Sequence, residues 1–394
     1  MEIYCDNAAT TALDPLVIEA ILPYLTNHYG NPSSSHWAGR AAREAIAAAR
    51  QKIAALIGAS PEEIFFMSGA TEANNLALTG AIRSNDISHV ITSKIEHKAV
   101  LQHLARHEKA GDIEVSYVKL DDFGNVDLRH LENLLDNNPQ SLISLMHGNN
   151  EIGNITDIVA VGELAEKYNA VFHTDTTQTM GKLLINVAEF NVDFLVGSAH
   201  KFHGPKGVGF IYINKRNQIK PLIVGGGQEN GQRGGTENVA GIVGLARALE
   251  VAYKSRAVVQ HHVATLKKHF IESLDDLTIG GITFNGESRS ATKGLSNIVS
   301  VAFPSLLSGS LVSQLDHLGI AVSGGSACSN LRSGGSHVIS AIYKNPDKEI
   351  VRFSFSKFNT LEEIDHIVKA IIRIYQSDQA DDVLSLQSPV PLAS

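Results

Sequence analysis

Short apolar runs separated by amphipathic stretches recur from residue 64 to about residue 213. The runs 64–67, 89–91, 115–120, 142–146, 170–173 and 194–196 read as buried strands. Between them the apolar spacing changes to three and four. Over 37–57, Ala42, Ile46, Ala49, Ile53 and Leu56 fall on one helical face, and Gly58 is placed to end the helix. The stretches 71–82, 97–107, 127–135 and 157–168 follow the same logic. Strand and helix alternating in this way predict an α/β chain whose central sheet is mostly parallel and covered on both faces.

After Gly225 the texture changes. A glycine-rich passage, 225–235, leads into one long helical segment, 238–274. Beyond it lie strands near 296–303, 320–323 and 351–356 and a helix over 361–375, which predict a smaller α/β domain. The expected division is a large domain over 14–257, a small domain combining 1–13 with 258–376, and a tail over 377–394 with little periodicity.

Composition narrows the function. At 394 residues with 43% hydrophobic and 19% charged residues, the chain suits a two-domain globular protein. A formal net charge of -8 argues against coating nucleic acid, which needs clustered Lys and Arg. No apolar run approaches membrane-spanning length, and 183–196 is broken by Asn186, Glu189, Asn191 and Asp193. The first residues show no secretory pattern, and the two cysteines, Cys5 and Cys328, form no disulfide framework. Both features suit a reducing cytoplasm. Among 17 histidines, His103 and His107 have helical ligand spacing, but no Glu follows His103 and no Cys-x-x-Cys occurs, so no metal site is expected.

Several strand ends carry chemistry. Ser198-Ala199-His200-Lys201 follows a buried strand, and a lysine there sits where open α/β sheets bind ligands and could form an imine. His173-Thr174-Asp175-Thr176-Thr177-Gln178 ends another; a buried Asp175 could keep a pyridine nitrogen protonated, and Gln178 could donate to a phenolic oxygen. At Ser68-Gly69-Ala70-Thr71-Glu72 a strand meets a helix, whose exposed N–H groups and dipole suit a phosphate, with Thr71 as an added donor. His97, in Glu96-His97-Lys98, could lie on such a ring and exchange protons with substrate. Arg352, in an alternating strand, offers a planar fork for a carboxylate. Cys328 lies among Gly and Ser, which describe an exposed arm suited to attack and hand-over of sulfur, whereas Cys5 sits in an apolar stretch and reads as structural. Each residue alone has a plainer reading: a solvated lysine, a turn aspartate, a threonine cap, a core histidine, a surface ion pair. Their company shifts the balance.

Taken together, these segments resemble the cysteine desulfurases of the class V aminotransferase group, pyridoxal-phosphate enzymes with the type I transferase fold. The resemblance runs from Tyr4-Cys5-Asp6-Asn7-Ala8-Ala9-Thr10-Thr11 to about Asp365. It includes Gly30-Asn31-Pro32, Asn149-Asn150-Glu151, the Asp175 and Lys201 segments, and Ser326-Ala327-Cys328-Ser329. It departs at Thr176-Thr177, where Ala-Val is usual, at Gly148, and at Ser356-Lys357.

The resemblance implies Lys201 as the residue that holds the cofactor, Asp175 on its ring nitrogen and Gln178 on its ring oxygen. It implies Ala70, Thr71, Ser198 and His200 around the phosphate, with Thr236 reaching in from the partner of a homodimer. His97 would stack on the ring, Asn150 and Arg352 would bind L-cysteine, and Cys328 would accept its sulfur as a persulfide while alanine leaves. The Cys328 setting resembles the branch that passes sulfur to iron–sulfur scaffold proteins. Rival readings are an aminotransferase, a selenocysteine or cysteine-sulfinate lyase on the same fold, or a non-catalytic scaffold. A transaminase has no need of the Cys328 arm.

Overall fold

The structure, a computed structural model, describes residues 2–324, 335–343 and 348–386. Cys328 lies outside the described residues. The chain divides into two compact units: 10–150 with 154–258, and 1–9 with 151–153 and 259–394.

The larger unit is built on a seven-stranded sheet. Its order is Ile64–Met67, Gly209–Ile213, Phe194–Ser198, Val171–Asp175, Leu142–Ser144, His89–Thr92 and Glu114–Tyr117. Every pairing is parallel except the two made by Gly209–Ile213, which runs antiparallel to both neighbours. That strand is reached from Phe194–Ser198 through residues 199–208 alone, a link too short for the helical crossover a parallel return needs. Successive side chains feed opposite faces. Leu195, Phe210 and Tyr212 join one core with Ile46, Ile53 and Phe172. Phe194, Val196, Ile211 and Ile213 join another with Leu76, Val90 and Val100. Two apolar faces per strand explain why the runs show no polar alternation.

The helix Trp37–Ile57 keeps its predicted limits, buries Ala42, Ile46, Ala49 and Ile53, and ends at Gly58 with φ 71°. A Cβ on Gly58 would also fall 2.7 Å from Asn186 Oδ1 and push that side chain aside, but it is the left-handed cap that favours glycine here.

In the smaller unit Ile298–Pro304 pairs antiparallel with Lys348–Ser354, Ser300 opposite Arg352, and with Thr283–Phe284. Ile3–Tyr4 pairs parallel with Ile320–Ala321. Its core gathers Ile3, Cys5, Leu266 and Phe303 around Phe270, whose ring centroid lies 4.6 Å from that of Phe353 and 5.6 Å from that of Phe355. The last helix, Leu361–Leu386, runs past residue 375, into the stretch expected to be a loose tail. Its extension is tied down by Asp378, which accepts from Leu307 N at 3.1 Å, Ser308 N at 2.9 Å and Ser308 Oγ at 2.6 Å. Among the described residues no helix is long and apolar enough to cross a membrane.

Candidate active site

The carboxyl ends of the parallel strands bring most of the expected residues into the larger unit. Val171–Asp175 ends on Asp175, which is 5% exposed. Its Oδ1 accepts from Thr177 N at 2.9 Å and its Oδ2 from Asn74 Nδ2 at 2.8 Å. Asn74 comes from the helix Ala70–Ser84, a segment of otherwise mainly apolar buried residues. Its Oδ1 lies 2.9 Å from His173 Nε2, and His173 Nδ1 lies 2.9 Å from Ser144 Oγ. Burial, the nearby Asp175 charge acting against it, and the His103 charge leave His173 at about 4, so its ring is neutral near pH 7. Gln178, three residues beyond Asp175, is buried, and its backbone carbonyl accepts from Lys182 Nζ at 2.8 Å.

Phe194–Ser198 delivers buried Ser198, then a single tight turn, Ala199–Lys201, carrying half-buried His200 and Lys201. The turn is pinned on both sides. The backbone N and the Oγ1 of Thr11 both donate to the His200 carbonyl at 2.9 Å, and His203 N donates to Thr11 Oγ1 at 2.8 Å. His203 itself takes the left-handed conformation, φ 66°. The Lys201 carbonyl accepts from Lys182 Nζ at 3.3 Å. Burial and the Lys201 charge lower Lys182 to about 7. Burial, with the charges of Lys201, Lys206 and Lys182, lowers His200 to about 4, while its Nδ1 sits 3.2 Å from Thr10 Oγ1.

Ala70 and exposed Thr71 open the helix Ala70–Ser84, which has no side-chain cap on its first turn. Glu72 Oε2 reaches back to Ser68 N at 2.7 Å. Beside this turn a Cβ on Gly69 would lie 3.7 Å from Ser198 Oγ, and one on Gly209 would strike the Gly197 carbonyl oxygen at 2.6 Å and Gly69 Cα at 2.8 Å. Strand ends and helix start therefore meet at backbone distance, which only glycine permits. Thr236 lines a cavity of about 170 Å³ with Met67, Ser68, Gly207 and Asn238. Its glycine-rich segment is anchored by buried Glu229, which is paired with Arg50 at 2.8 and 2.9 Å and accepts from Phe66 N at 2.8 Å.

His97 caps the helix Lys98–Ala110, its Nδ1 accepting from Ala99 N at 3.1 Å. Next to it, Glu96 is 1% exposed and accepts from Ser93 Oγ at 2.7 Å and Met146 N at 3.1 Å. Burial outweighs those two bonds, and with the Asp175 charge it pushes Glu96 up to about 8. Asn150 is half-buried at the end of the stretch 142–150. Arg352 belongs to the smaller unit, 1% exposed, with its NH2 2.6 Å from Asp6 Oδ1. It is a buried ion pair rather than the surface pair of the plainer reading. His103 and His107 stack edge-on at 4.9 Å, His103 bonded to Thr79 and His107 to Asp112.

Sequence reasoning passed over Asn74, His173 as a hydrogen-bonding group, Glu96 and Lys182. For Asn74 a signal existed: it precedes Leu78 by one helical turn, on a face that must be buried. His173 and Glu96 lie inside the quoted motifs and Lys182 four residues past one, but no periodicity marks them.

A doubly covered parallel sheet with a lysine and an aspartate at adjacent strand ends, plus a smaller α/β unit, is the type I fold of pyridoxal-phosphate-dependent transferases. Residues 3–367 match the family model described as aminotransferase class-V. The "Cysteine desulfurase IscS" of Dictyoglomus turgidum is 42% identical, covering 95% of each chain. Among solved structures a "NifS-like protein" is 38% identical with a TM-score of 0.87, covering 95% of this chain and all, 100%, of that one. "SspA in complex with cysteine" is 33% identical with a TM-score of 0.78, covering 91% and 100%. The chain belongs to the cysteine desulfurase family within the class-V aminotransferases.

Proposed function

We propose that the chain converts L-cysteine to L-alanine with pyridoxal phosphate, holds the sulfur as a persulfide on Cys328, and passes it to an acceptor such as an iron–sulfur scaffold protein. The observation that carries the reading is Asp175: a nearly buried carboxylate at a strand end, met within the chain by two neutral donors, Asn74 and Thr177. A protonated pyridine nitrogen is the partner that such a carboxylate suits. The uncapped helix start beside Gly69 and Ser198 fits a phosphate, and Ala70 N, Thr71, Ser198 and His200 would hold it.

When bound, the cofactor supplies an electron-poor ring that stabilises negative charge at the cysteine Cα. Lys201 would hold it and then move the Cα proton on its Nζ, with Gln178 on the ring oxygen. His97 would lie against the ring and take the substrate thiol proton. Asn150 and Arg352 would hold the substrate, Arg352 through its carboxylate. The Cys328 thiolate would bond to the substrate sulfur as the carbon–sulfur bond breaks. The electron pair stays with carbon, which takes up a proton, and alanine leaves. Thr236 would be given to the partner subunit of a homodimer, and two cysteines in a chain of this size suit the cytoplasm.

The test is to incubate the loaded enzyme with L-cysteine and measure alanine and protein persulfide together. Equal amounts in the first turnover are expected. Cys328→Ser should still take up cysteine and shift the cofactor spectrum, then stall. Alanine made at the native rate by Cys328→Ser would defeat the sulfur-acceptor role and favour a lyase acting directly on its substrate.

A further inference from the structure

Ser144, His173, Asn74 and Asp175 form one chain of hydrogen bonds, all at 2.8–2.9 Å and all with side chains 5% exposed or less. Its direction is fixed from one end. Ionised Asp175 only accepts, so the Asn74 amide nitrogen donates to it and the Asn74 carbonyl oxygen must accept. Among the described residues the donor offered to that oxygen is His173 Nε2–H, which leaves Nδ1 as the acceptor for the Ser144 hydroxyl. Every proton in the chain therefore points towards Asp175. A carboxylate that receives a polarised donor is stabilised in its ionised form and loses affinity for a proton.

We infer that Asn74 and His173 are positioning residues that hold Asp175 a weaker base than the ring nitrogen it faces, so that the shared proton stays on the ring. The inference rests on the reading of Asp175 as the ring-nitrogen partner. Only while that proton stays on nitrogen does the ring draw electrons from Cα. At a position as buried as Asp175, a carboxylate stripped of its Asn74 donor would compete for the proton, and the pair would relax towards neutral acid and neutral pyridine. Neither Asn74 nor His173 touches substrate in this account. They act through the proton affinity of Asp175. Thr177 N, on the other oxygen, belongs to the backbone and supplies a constant second donor.

The experiment uses the holoenzyme loaded with pyridoxal phosphate labelled with 15N in the ring. The pyridine 15N resonance is recorded for the native protein and for Asn74→Leu, His173→Phe, His173→Gln and Asp175→Asn. The native resonance should sit at the protonated position. Asn74→Leu should move it towards the unprotonated one, with alanine formation about tenfold lower, as for loss of a hydrogen bond to a charged group. His173→Phe should move it less, and His173→Gln, which keeps a donor for Asn74, should restore it. A merely structural role would lower the melting temperature of the apoprotein and leave the resonance in place. That result in Asn74→Leu, or in His173→Phe should the leucine variant not fold, overturns the inference. Asp175→Asn separates the two layers: if it too leaves the nitrogen protonated, Asp175 is not the ring partner and the underlying reading fails.

Discussion

Asp175 in the larger unit and Arg352 in the smaller are both almost wholly buried, yet they are met differently. Neutral donors, Asn74 and Thr177 N, meet Asp175, whereas Asp6, a carboxylate, meets Arg352 at 2.6 Å. Neutral donors stabilise the ionised form without cancelling its charge, so Asp175 retains a net charge to offer a cationic ligand. An opposite charge cancels the field, so Arg352 is already paid for structurally, and any substrate carboxylate must share the guanidinium with Asp6. The first arrangement suits a group whose value lies in its charge, the second one whose value lies in its fork.

The largest effect expected from this contrast is on Asp175→Asn. The side chain keeps its shape and loses its charge, so cofactor should still bind through the phosphate contacts proposed for Thr71, Ser198 and His200 while alanine formation falls on the order of 100-fold or more. Steady-state alanine production checks it, and near-native turnover would break the contrast. Arg352→Ala should act on two measurements at once. Unfolding by denaturant should show a loss of about 3 kcal/mol, because Asp6 is left without its counter-charge. KM for cysteine should rise about tenfold or more, with little change in cofactor affinity. If stability falls but KM is unmoved, Arg352 belongs to the fold alone.

Glu96 sharpens the contrast within the larger unit, since burial and the Asp175 charge raise it to about 8. A carboxyl group whose folded value lies above its unfolded one binds more protons when folded. Its contribution is therefore fully present below the ordinary carboxylate range near 4.5 and is lost as pH rises through about 8. Glu96→Gln, uncharged at every pH, should flatten the decline of stability between those limits, read from melting temperatures across the range. An unchanged slope would mean that Glu96 is ionised in the folded protein.

Much of the larger unit was legible because its signals are local. Buried strands announce themselves as apolar runs, and Trp37–Ile57 kept its limits because an apolar stripe and Gly58 are contiguous in sequence. The antiparallel Gly209–Ile213 was not singled out, because strand direction depends on the length of the preceding link and leaves no periodic mark. Asp175 and Lys201 stood out as charges at the ends of apolar runs. Their supports did not: Asn74 meets Asp175 across 101 positions and Asp6 meets Arg352 across 346, and no spacing rule reaches that far. The helix end was missed for a related reason. Gln376, Ser377 and Asp378 break the apolar stripe, and the loop at 307–308 that makes Asp378 useful is more than 60 positions away.

Asp378 also supplies the smallest and most discriminating prediction. Like Asp175 it is a carboxylate met by neutral donors, two backbone N–H groups and the Ser308 hydroxyl. Unlike Asp175 it sits on a helix rather than at the end of a strand, so its bonds should serve only to dock helix and loop. Asp378→Ala removes acceptors from Leu307 N and Ser308 N, which solvent can replace in part at this site. The expected loss is about 1–2 kcal/mol in denaturant unfolding, with kcat and KM for cysteine unchanged. Asp378→Asn keeps one acceptor oxygen and should lose less. If Asp378→Ala left stability untouched, the polar end of the helix would owe its position to packing alone. If instead it lowered kcat, then neutral donors around a carboxylate would not distinguish a structural site from a chemical one, and the contrast drawn for Asp175 would fail with it.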